Sequence, residues 1–202
     1  MIILWCLGGA VTHAQSINYN PKSLAKDIQK IWEKDNIGLE EIDVPDSMIN
    51  IDLLNQGKIF GIHADDKCLG FAYVSRVYSC RSGGCGDHGE PAEALSVDED
   101  LEYFDAFILF EEDLTIKKIR VYNYQATHGH EVGSTGWLKQ FVGYKGDEKL
   151  NYGKNVDAIS GATISGNAIT HKVQEAFIYM KLLKPVLDHH KPSSLVNGRW
   201  VK

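Results

Sequence analysis

Two pairs of strand-like segments constrain the fold of this chain more than any other feature of its sequence. Lys58–Ala64 and Lys67–Tyr78 are rich in β-branched and aromatic residues and are separated by an Asp-Asp turn. Tyr103–Phe110 and Leu114–Tyr124 form a second such pair, separated by an acidic turn. Because strands joined by such short turns pair antiparallel, the sequence predicts an α+β fold: an antiparallel sheet built from two hairpins, with helices before and after it.

A long amphipathic helix is predicted near the end of the chain, where apolar residues recur at spacings of three and four. Pro185 is expected to close this helix, because proline cannot extend a helix beyond its first turn. Upstream, Asp157 and Ser160 are both favourable N-cap residues. A shorter amphipathic helix is predicted over Ser23–Lys34, with Ser23 as its N-cap. The apolar faces consist of Leu24, Ile28, Ile31 and Trp32 in the shorter helix and of Ile169, Val173, Ala176, Phe177 and Met180 in the longer one.

The segment before the long helix reads Asp157-Ala158-Ile159-Ser160-Gly161-Ala162-Thr163. Thr163 places a hydroxyl at the expected helix start, where free backbone N–H groups and the positive end of the helix dipole favour a phosphate group. Gly161 and Ala162 add almost no side-chain bulk, so a bulky group can reach that hydroxyl. The residues alone predict an anion-binding turn, with an ordinary capped helix and a tight packing corner as the alternative.

This seven-residue string resembles the flavinylation motif of the FMN-binding domain family, which includes the flavin-carrying subunits of the Rnf complex and of the sodium-pumping NADH:quinone oxidoreductase. In that family the last threonine of the motif carries FMN through a phosphoester bond, which a separate flavin transferase forms by using FAD and magnesium. The resemblance implies that Thr163 is the acceptor, with Asp157, Ser160, Gly161 and Ala162 as the surrounding recognition residues.

A second stretch, His128–Phe141, is similar to a loop of the same family that precedes a tryptophan and a Gln-Phe pair. Glu131, Trp137 and the Gln-Phe pair match, whereas the proline and the Leu-Gly pair of the family loop are replaced. The resemblance implies that Glu131 and Trp137 belong to the cofactor-binding residues, and it extends over about residues 58–184.

The N-terminal stretch has the pattern of a secretory signal peptide. Residues 1–11 are apolar and uncharged, and small residues follow at Thr12-His13-Ala14. The apolar run is too short to span a bilayer, which requires about 20 residues. We therefore expect export to an extracytoplasmic location, periplasmic or at the cell surface, with an uncleaved buried segment as the alternative.

The sequence suggests one main domain with flanking segments. We expect a signal peptide over residues 1–14, an N-terminal helical extension over 15–57 that is irregular from 36 to 57, an FMN-binding domain over 58–184 and a C-terminal tail over 185–202. A length of 202 residues with 44% hydrophobic content suffices for one sizeable core. The formal net charge of −6, without a basic cluster, argues against nucleic acid as a partner.

Cys80 and Cys85 lie in a glycine-rich loop over residues 79–100, and the spacing between them allows the close approach that a disulfide requires. A disulfide is the first interpretation, while free thiols and a metal site that adds His88 remain alternatives. Cys68 alternates within a predicted strand and is interpreted as a buried hydrophobic residue.

Two histidines and several acidic residues have less specific patterns. His128 and His130 lie beside the presumed flavin loop, and they are interpreted either as donors or proton carriers for the flavin or as solvated loop residues. The acidic run that contains Asp98, Glu99, Asp100 and Glu102 is interpreted as a solvated face.

By resemblance, the chain is an exported flavoprotein electron carrier with FMN covalently attached to Thr163. It would pass electrons between membrane or extracytoplasmic redox partners after a flavin transferase has attached the cofactor. The cofactor would then do the chemistry, and no catalytic residue of the chain is required. Two alternatives remain open: a metal-binding or interaction module that uses Cys80, Cys85 and His88 without covalent flavin, and an enzyme that reduces a small acceptor with bound flavin.

Overall fold

The computed structural model describes residues 16–34, 36–45, 57–65, 67–79 and 102–189, together with the backbone of two short strands near the C-terminus. These two strands, Leu195–Val196 and Arg199–Trp200, pair antiparallel as β6 and β7. The expected signal peptide and the loop that contains Cys80, Cys85 and His88 lie outside the described residues.

Five strands form one antiparallel sheet in the order β1-β2-β3-β4-β5. The hairpins β2-β3 and β4-β5 are the two predicted pairs, so both hairpins and the α+β class are confirmed. The central strands β3 and β4 pair from Gly70 and Glu111 to Ser79 and Glu102, which places the last two residues opposite each other at one end of the sheet. The strands are β1 Gly38–Glu41, β2 Gly57–Ala64, β3 Lys67–Ser79, β4 Glu102–Glu111 and β5 Ile116–Tyr122.

The first strand was not predicted. β1 pairs with β2 from Gly38 and His63 to Glu41 and Phe60, so the interpretation of this stretch as irregular is wrong for these four residues. Two of the four residues are glutamates, which leaves no apolar alternation to recognise. The open edge of β2 supplies the hydrogen-bonding partners that make this short segment a strand.

Both predicted amphipathic helices are present, with ends that differ from the prediction. α1 spans Lys22–Trp32 and begins after Pro21, so Ser23 is not its N-cap. α3 spans Thr163–Leu182. Between them lie a 3₁₀ turn at His130–Gly133, the short helix α2 at Thr135–Leu138 and a 3₁₀ turn at Lys139–Phe141.

The prediction that Pro185 closes the long helix is wrong. α3 already ends at Leu182, and a further helix, α4, spans Lys184–His189. Pro185 is the second residue of α4, in the first turn, where its missing N–H has no intrahelical role.

The two helices α1 and α3 cover opposite faces of the sheet. On the α3 face, the predicted apolar residues of α3 are buried against side chains of β3 and β4. On the α1 face, Leu24 and Ile28 are buried with other side chains of the same strands. The strand residues are Phe71, Tyr73, Val77, Phe104, Ala106, Ile108 and Phe110 on the α3 face and Ala72, Val74, Phe107 and Leu109 on the α1 face.

An ion-pair cluster joins α1 to the sheet. Asp27, which is 3% exposed, accepts hydrogen bonds from Lys118 Nζ at 2.8 Å and from Arg120 Nε at 2.5 Å. Burial by itself would raise the pKa of the Asp27 carboxyl, but the hydrogen bonds from Arg120 and Lys118 outweigh it and hold that pKa below its ordinary value. The carboxylate therefore stabilises the contact between α1 and β5 in its charged form.

A second ion pair lies within the sheet, also on the α1 face. Arg76 Nε donates to Asp105 Oδ1 at 2.8 Å, and Asn123 Nδ2 donates to Asp105 Oδ2 at 2.6 Å. Both charged residues are buried, with 5% and 0% of their surfaces exposed. The guanidinium of Arg76 also lies 3.6 Å from the centre of the Tyr103 ring, so the buried charges are paired and packed.

Within the described ranges, no helix has the length and apolar character that a membrane crossing requires.

Candidate functional site

Thr163 is the first residue of α3 and is exposed at the N-terminus of that helix. The N-cap is Ala162, which offers no side-chain acceptor, so neither Asp157 nor Ser160 caps this helix. The first intrahelical bond runs from Gly166 N to Ala162 O at 2.8 Å, and the N–H groups before it have no acceptor within the helix. Together with the positive end of the helix dipole, they favour an anion beside Thr163.

The glycine before the helix leaves space next to this hydroxyl. Gly161 has a φ of +79°, a left-handed conformation that glycine adopts without strain. Among the described residues, a Cβ atom at Gly161 would meet no atom within 4 Å. Ala162, in contrast, is buried and anchors the turn to the core on the α3 face. The motif therefore combines a fixed turn with an open approach to Thr163.

A cavity of about 350 Å³ opens in front of this helix start. Its volume lies within the range of cofactor sites, roughly 300 to 1,000 Å³. Ser79 and Glu102 contribute to it from the paired ends of β3 and β4, while the motif contributes from the other side. The lining residues are Ser79, Glu102, His128, Gly161, Ala162, Thr163, Ile164 and Ser165.

A larger and more open groove of about 460 Å³ lies elsewhere, along Ile42, Asp43, Pro185, Val186 and His189. It contains no residue of the motif, and its larger size alone does not make it the better candidate.

Trp137 and Gln140 hold the main chain at the beginning of the motif. Trp137 Nε1 donates to the carbonyl oxygen of Asp157 at 2.7 Å, and the N–H of Asp157 donates to Gln140 Oε1 at 2.8 Å. Gln140 Nε2 in turn donates to the Trp137 carbonyl at 2.9 Å. The two stretches that carry the family resemblance are therefore in direct contact. We call this pair of side chains the Trp137/Gln140 clamp.

Tyr152 contacts both the motif and the first turns of α3, and the sequence analysis did not identify it. Its hydroxyl accepts a hydrogen bond from Ile159 N at 2.7 Å. Its ring fits against Gly166, where a Cβ atom would lie 2.2 Å from Tyr152 Cε2. A glycine inside an otherwise regular helix was the one available signal, because such a glycine often marks a close approach.

Tyr124 connects the loop after β5 to the first turn of α3. Its hydroxyl donates to the carbonyl oxygen of His128 at 2.7 Å and lies 2.9 Å from Ser165 Oγ. Since this hydroxyl has one proton, Ser165 donates to it. Gly129 has a φ of +85° and a Cβ atom there would lie 2.6 Å from Ser165 Oγ, so only glycine permits this approach. Burial raises the pKa of Tyr124, which keeps it a neutral donor.

Glu102, Thr127 and His128 form a hydrogen-bonded chain at the cavity wall. Thr127 Oγ1 lies 2.6 Å from Glu102 Oε1 and 2.9 Å from His128 Nδ1. Glu102 is only 8% exposed, so its interpretation as part of a solvated face is wrong. Strand pairing with Ser79 places it at the cavity instead. Asp98, Glu99 and Asp100 lie outside the described residues.

The remaining candidates are not among the residues that line the cavity. Asp157, Ser160 and Glu131 are exposed, and Trp137 is half-buried in the clamp. His130 is exposed as well, with its ring centre 4.6 Å from that of Tyr124.

Cys68 is the one cysteine among the described residues. Cys68 is half-buried, and burial raises the pKa of its thiol, which fits a packing role better than a reactive one. Among the described residues no group of three or more His, Cys, Asp or Glu side chains could hold a metal ion. The disulfide candidate Cys80 and Cys85 and the metal alternative with His88 fall outside those residues.

Comparison with known protein families gives one finding that bears on this site. Residues 104–177 match the family model described as "FMN-binding domain". The matched region runs from β4 through the Trp137/Gln140 clamp and the motif into α3. A comparison with curated proteins gave no match.

Proposed function

Because residues 104–177 match the family model of the FMN-binding domain, we propose that this protein is an electron-transfer flavoprotein with FMN attached to Thr163 through a phosphoester bond. The observation that carries the proposal is the position of Thr163. Its side chain is exposed at the N-terminus of a 20-residue helix and lines a cavity of cofactor size. A hydroxyl at this position can be esterified without unpacking the core.

The local geometry supports a phosphate group on this oxygen. The N-cap residue Ala162 offers no side-chain acceptor to the N–H groups of the first turn of α3, and these groups favour a negative charge as the helix dipole does. The space beside Gly161 leaves room for the ester. A phosphoester at Thr163 would thus accept the hydrogen bonds that a capping side chain accepts in other helices.

The cavity would receive the ring system of the flavin. Ser79, Glu102, His128 and Ser165 offer polar atoms in its wall, which can orient a ring with polar edges. FMN supplies the electron-transfer chemistry when bound, and the chain supplies attachment, orientation and the electrostatic environment. No nucleophile of the chain needs activation for electron transfer itself.

We further propose how the protein matures and where it works. A separate flavin transferase that uses FAD and magnesium would attach the cofactor, since the chain contains the acceptor motif. The apolar N-terminal stretch over residues 1–14 supports export. The mature carrier would then exchange electrons with redox partner proteins at the membrane from the extracytoplasmic side.

The direct test is coexpression with a flavin transferase followed by intact-mass measurement and fluorescence of the denatured protein. Wild-type protein should gain the mass of one FMN less one water and fluoresce after denaturation. Thr163→Ala should show neither, because it lacks the acceptor oxygen. Thr163→Ser is the matched control, since it retains a hydroxyl at the same position.

The opposite result is equally clear. If wild-type protein is colourless, unchanged in mass and contains stoichiometric zinc, the covalent flavin proposal fails and the metal-binding module that uses Cys80, Cys85 and His88 replaces it.

A further inference from the structure

The cavity wall contains a hydrogen-bonded chain that flavin attachment does not require. Glu102 is the first residue of β4 and is buried, whereas Thr127 and His128 lie in the loop after β5 and are exposed. The Thr127 hydroxyl bridges the other two side chains, at 2.6 Å from Glu102 Oε1 and 2.9 Å from His128 Nδ1. Glu102 and His128 both line the cavity with Thr163.

The chemistry of the three groups fixes the direction of this chain. An ionised carboxylate only accepts hydrogen bonds, so the single proton of the Thr127 hydroxyl points to Glu102. The hydroxyl oxygen must then accept from His128, which places the imidazole proton on Nδ1. In the neutral imidazole, Nε2 then carries the lone pair. The chain runs from the exposed residue His128 to the buried residue Glu102 in the cavity wall.

We propose that His128, Thr127 and Glu102 form a proton relay that moves one proton from solvent to the cavity wall when the bound flavin is reduced. In the inward step, His128 Nε2 binds a proton from solvent. The Nδ1–H bond breaks as Thr127 Oγ1 takes that proton, and Thr127 gives its own proton to Glu102 Oε1. The products are a neutral histidine protonated on Nε2, an intact threonine hydroxyl and a neutral glutamic acid.

The relay itself transfers no electrons. The electrons that reduce the flavin come from a protein reductant. Electrons that enter a partly enclosed cavity add negative charge where Glu102 already places one, and charges interact strongly away from bulk water. Protonation of Glu102 removes its charge and converts its acceptor oxygen into a donor. The inference rests on the proposed function, because only a redox-active group in the cavity produces this change in charge.

Other titratable groups surround the relay but do not duplicate it. Tyr124 experiences the charges of both Glu102 and Glu131, and burial raises its pKa. Its proton is already donated to the His128 carbonyl. His130 packs its ring on Tyr124 and does not line the cavity. Among the described residues that line the cavity, His128 is therefore the group placed to exchange protons with solvent.

The test compares Thr127→Val, which removes the bridging hydroxyl at nearly constant shape, with Thr127→Ser, which retains it. Nitrogen-15 NMR of flavin-free protein should find the His128 proton on Nδ1 in wild type and in Thr127→Ser. In Thr127→Val this preference should be lost. A wild-type proton on Nε2 would overturn the proposal.

The second measurement uses the flavin-loaded protein and follows proton uptake with a pH indicator after rapid reduction by dithionite. Thr127→Val should take up its proton about 100-fold more slowly, as expected when a positioned proton carrier is lost. Thr127→Ser should behave as wild type. Equal rates in Thr127→Val and wild type would overturn the relay while leaving the flavin proposal intact.

A further variant covers the case in which Thr127→Val does not fold. Glu102→Gln cannot accept a proton, so its flavin-loaded form should take up one proton fewer on reduction, and unchanged proton stoichiometry would contradict the relay. If wild-type protein carries no flavin at Thr163, the proposed function fails first, and the relay falls with it. The mass measurement identifies that case before any rate is measured.

Discussion

The two faces of the central sheet differ in how their polar side chains are placed. On the α1 face, Arg76 and Asp105 of β3 and β4 pair with each other and are almost fully buried. A few residues further along the same strands, Ser79 and Glu102 line a cavity on the α3 face. Because successive side chains of a strand point to opposite faces, the same two strand ends contribute to a closed face and to an open one.

We therefore expect the α1 face to contribute mainly to stability and the α3 face to contribute also to function. Charges on the α1 face satisfy one another, so their role is to hold α1 and the sheet together. Several polar groups on the α3 face line a cavity instead, so they can act on a group bound there. Substitutions on the α1 face should therefore change stability and spare flavin attachment, while some substitutions on the α3 face should change both.

The largest effect is expected from breaking the buried pair on the α1 face. Asp105→Ala leaves the Arg76 guanidinium buried without its carboxylate, and we expect the free energy of unfolding to fall by about 3–5 kcal/mol in urea denaturation. The double variant Arg76→Met with Asp105→Leu should recover most of this loss, because apolar residues of similar size can replace a buried pair. Equal losses in the single and double variants would show that the pair is not the source of the effect.

An intermediate effect is expected on the α3 face at Gly166. Gly166→Ala places a methyl group where the Tyr152 ring lies. Although alanine favours helix, displacement of the ring should lower the free energy of unfolding by about 2 kcal/mol. Since Tyr152 also holds Ile159 of the motif, flavin attachment should slow, as measured by mass spectrometry over time.

Gly136→Ala is the matched control for this variant. Gly136 lies in α2, and a Cβ atom there would meet no atom of the described part of the chain within 4 Å. This variant should keep or slightly increase stability and should accept flavin at the wild-type rate. If both alanine variants behave alike, the contact between Tyr152 and Gly166 does not position the motif.

The smallest effect is expected at Asp27, on the α1 face. Asp27→Asn should lower the free energy of unfolding by about 1.5 kcal/mol near pH 7. This value is at the low end for hydrogen bonds to charged groups, because the partners Arg120 and Lys118 are partly exposed. The folded-state pKa of Asp27 is lowered, so its contribution is present above the unfolded-state pKa of about 4 and is lost as the pH falls further. Stability measured from pH 7 to pH 2 should therefore show the wild type approaching the variant below about pH 4. A gap that stays constant to pH 2 would contradict this assignment.

Sequence patterns predicted the features that depend on local periodicity. Both hairpins follow from β-branched and aromatic runs around short turns, and the buried face of α3 follows from its spacing of three and four. Thr163 was predicted at the helix start, where it lies. The motif could be recognised because its residues are consecutive in the chain.

Features that depend on distant partners were not predictable in the same way. β1 exists because β2 offers an open edge, and Glu102 is buried because β4 pairs with β3. The N-cap of α3 was assigned to Asp157 or Ser160 on residue preference, but the backbone turns at Gly161 and leaves Ala162 in that position. The support from Tyr152 requires a contact across 14 residues of chain, to Gly166. The glycine within the helix indicates a close approach, but it does not identify Tyr152 as the neighbour.

The Trp137/Gln140 clamp has an implication for sequence variation. Its hydrogen bonds involve the main-chain N–H and carbonyl oxygen of Asp157 and no atom of the Asp157 side chain. The fold would accept many amino acids at positions 157 and 158, both of which face solvent. Any restriction of these positions in nature would then reflect recognition by an external enzyme, so a library randomised at both sites would report the enzyme's preferences separately from the requirements of folding.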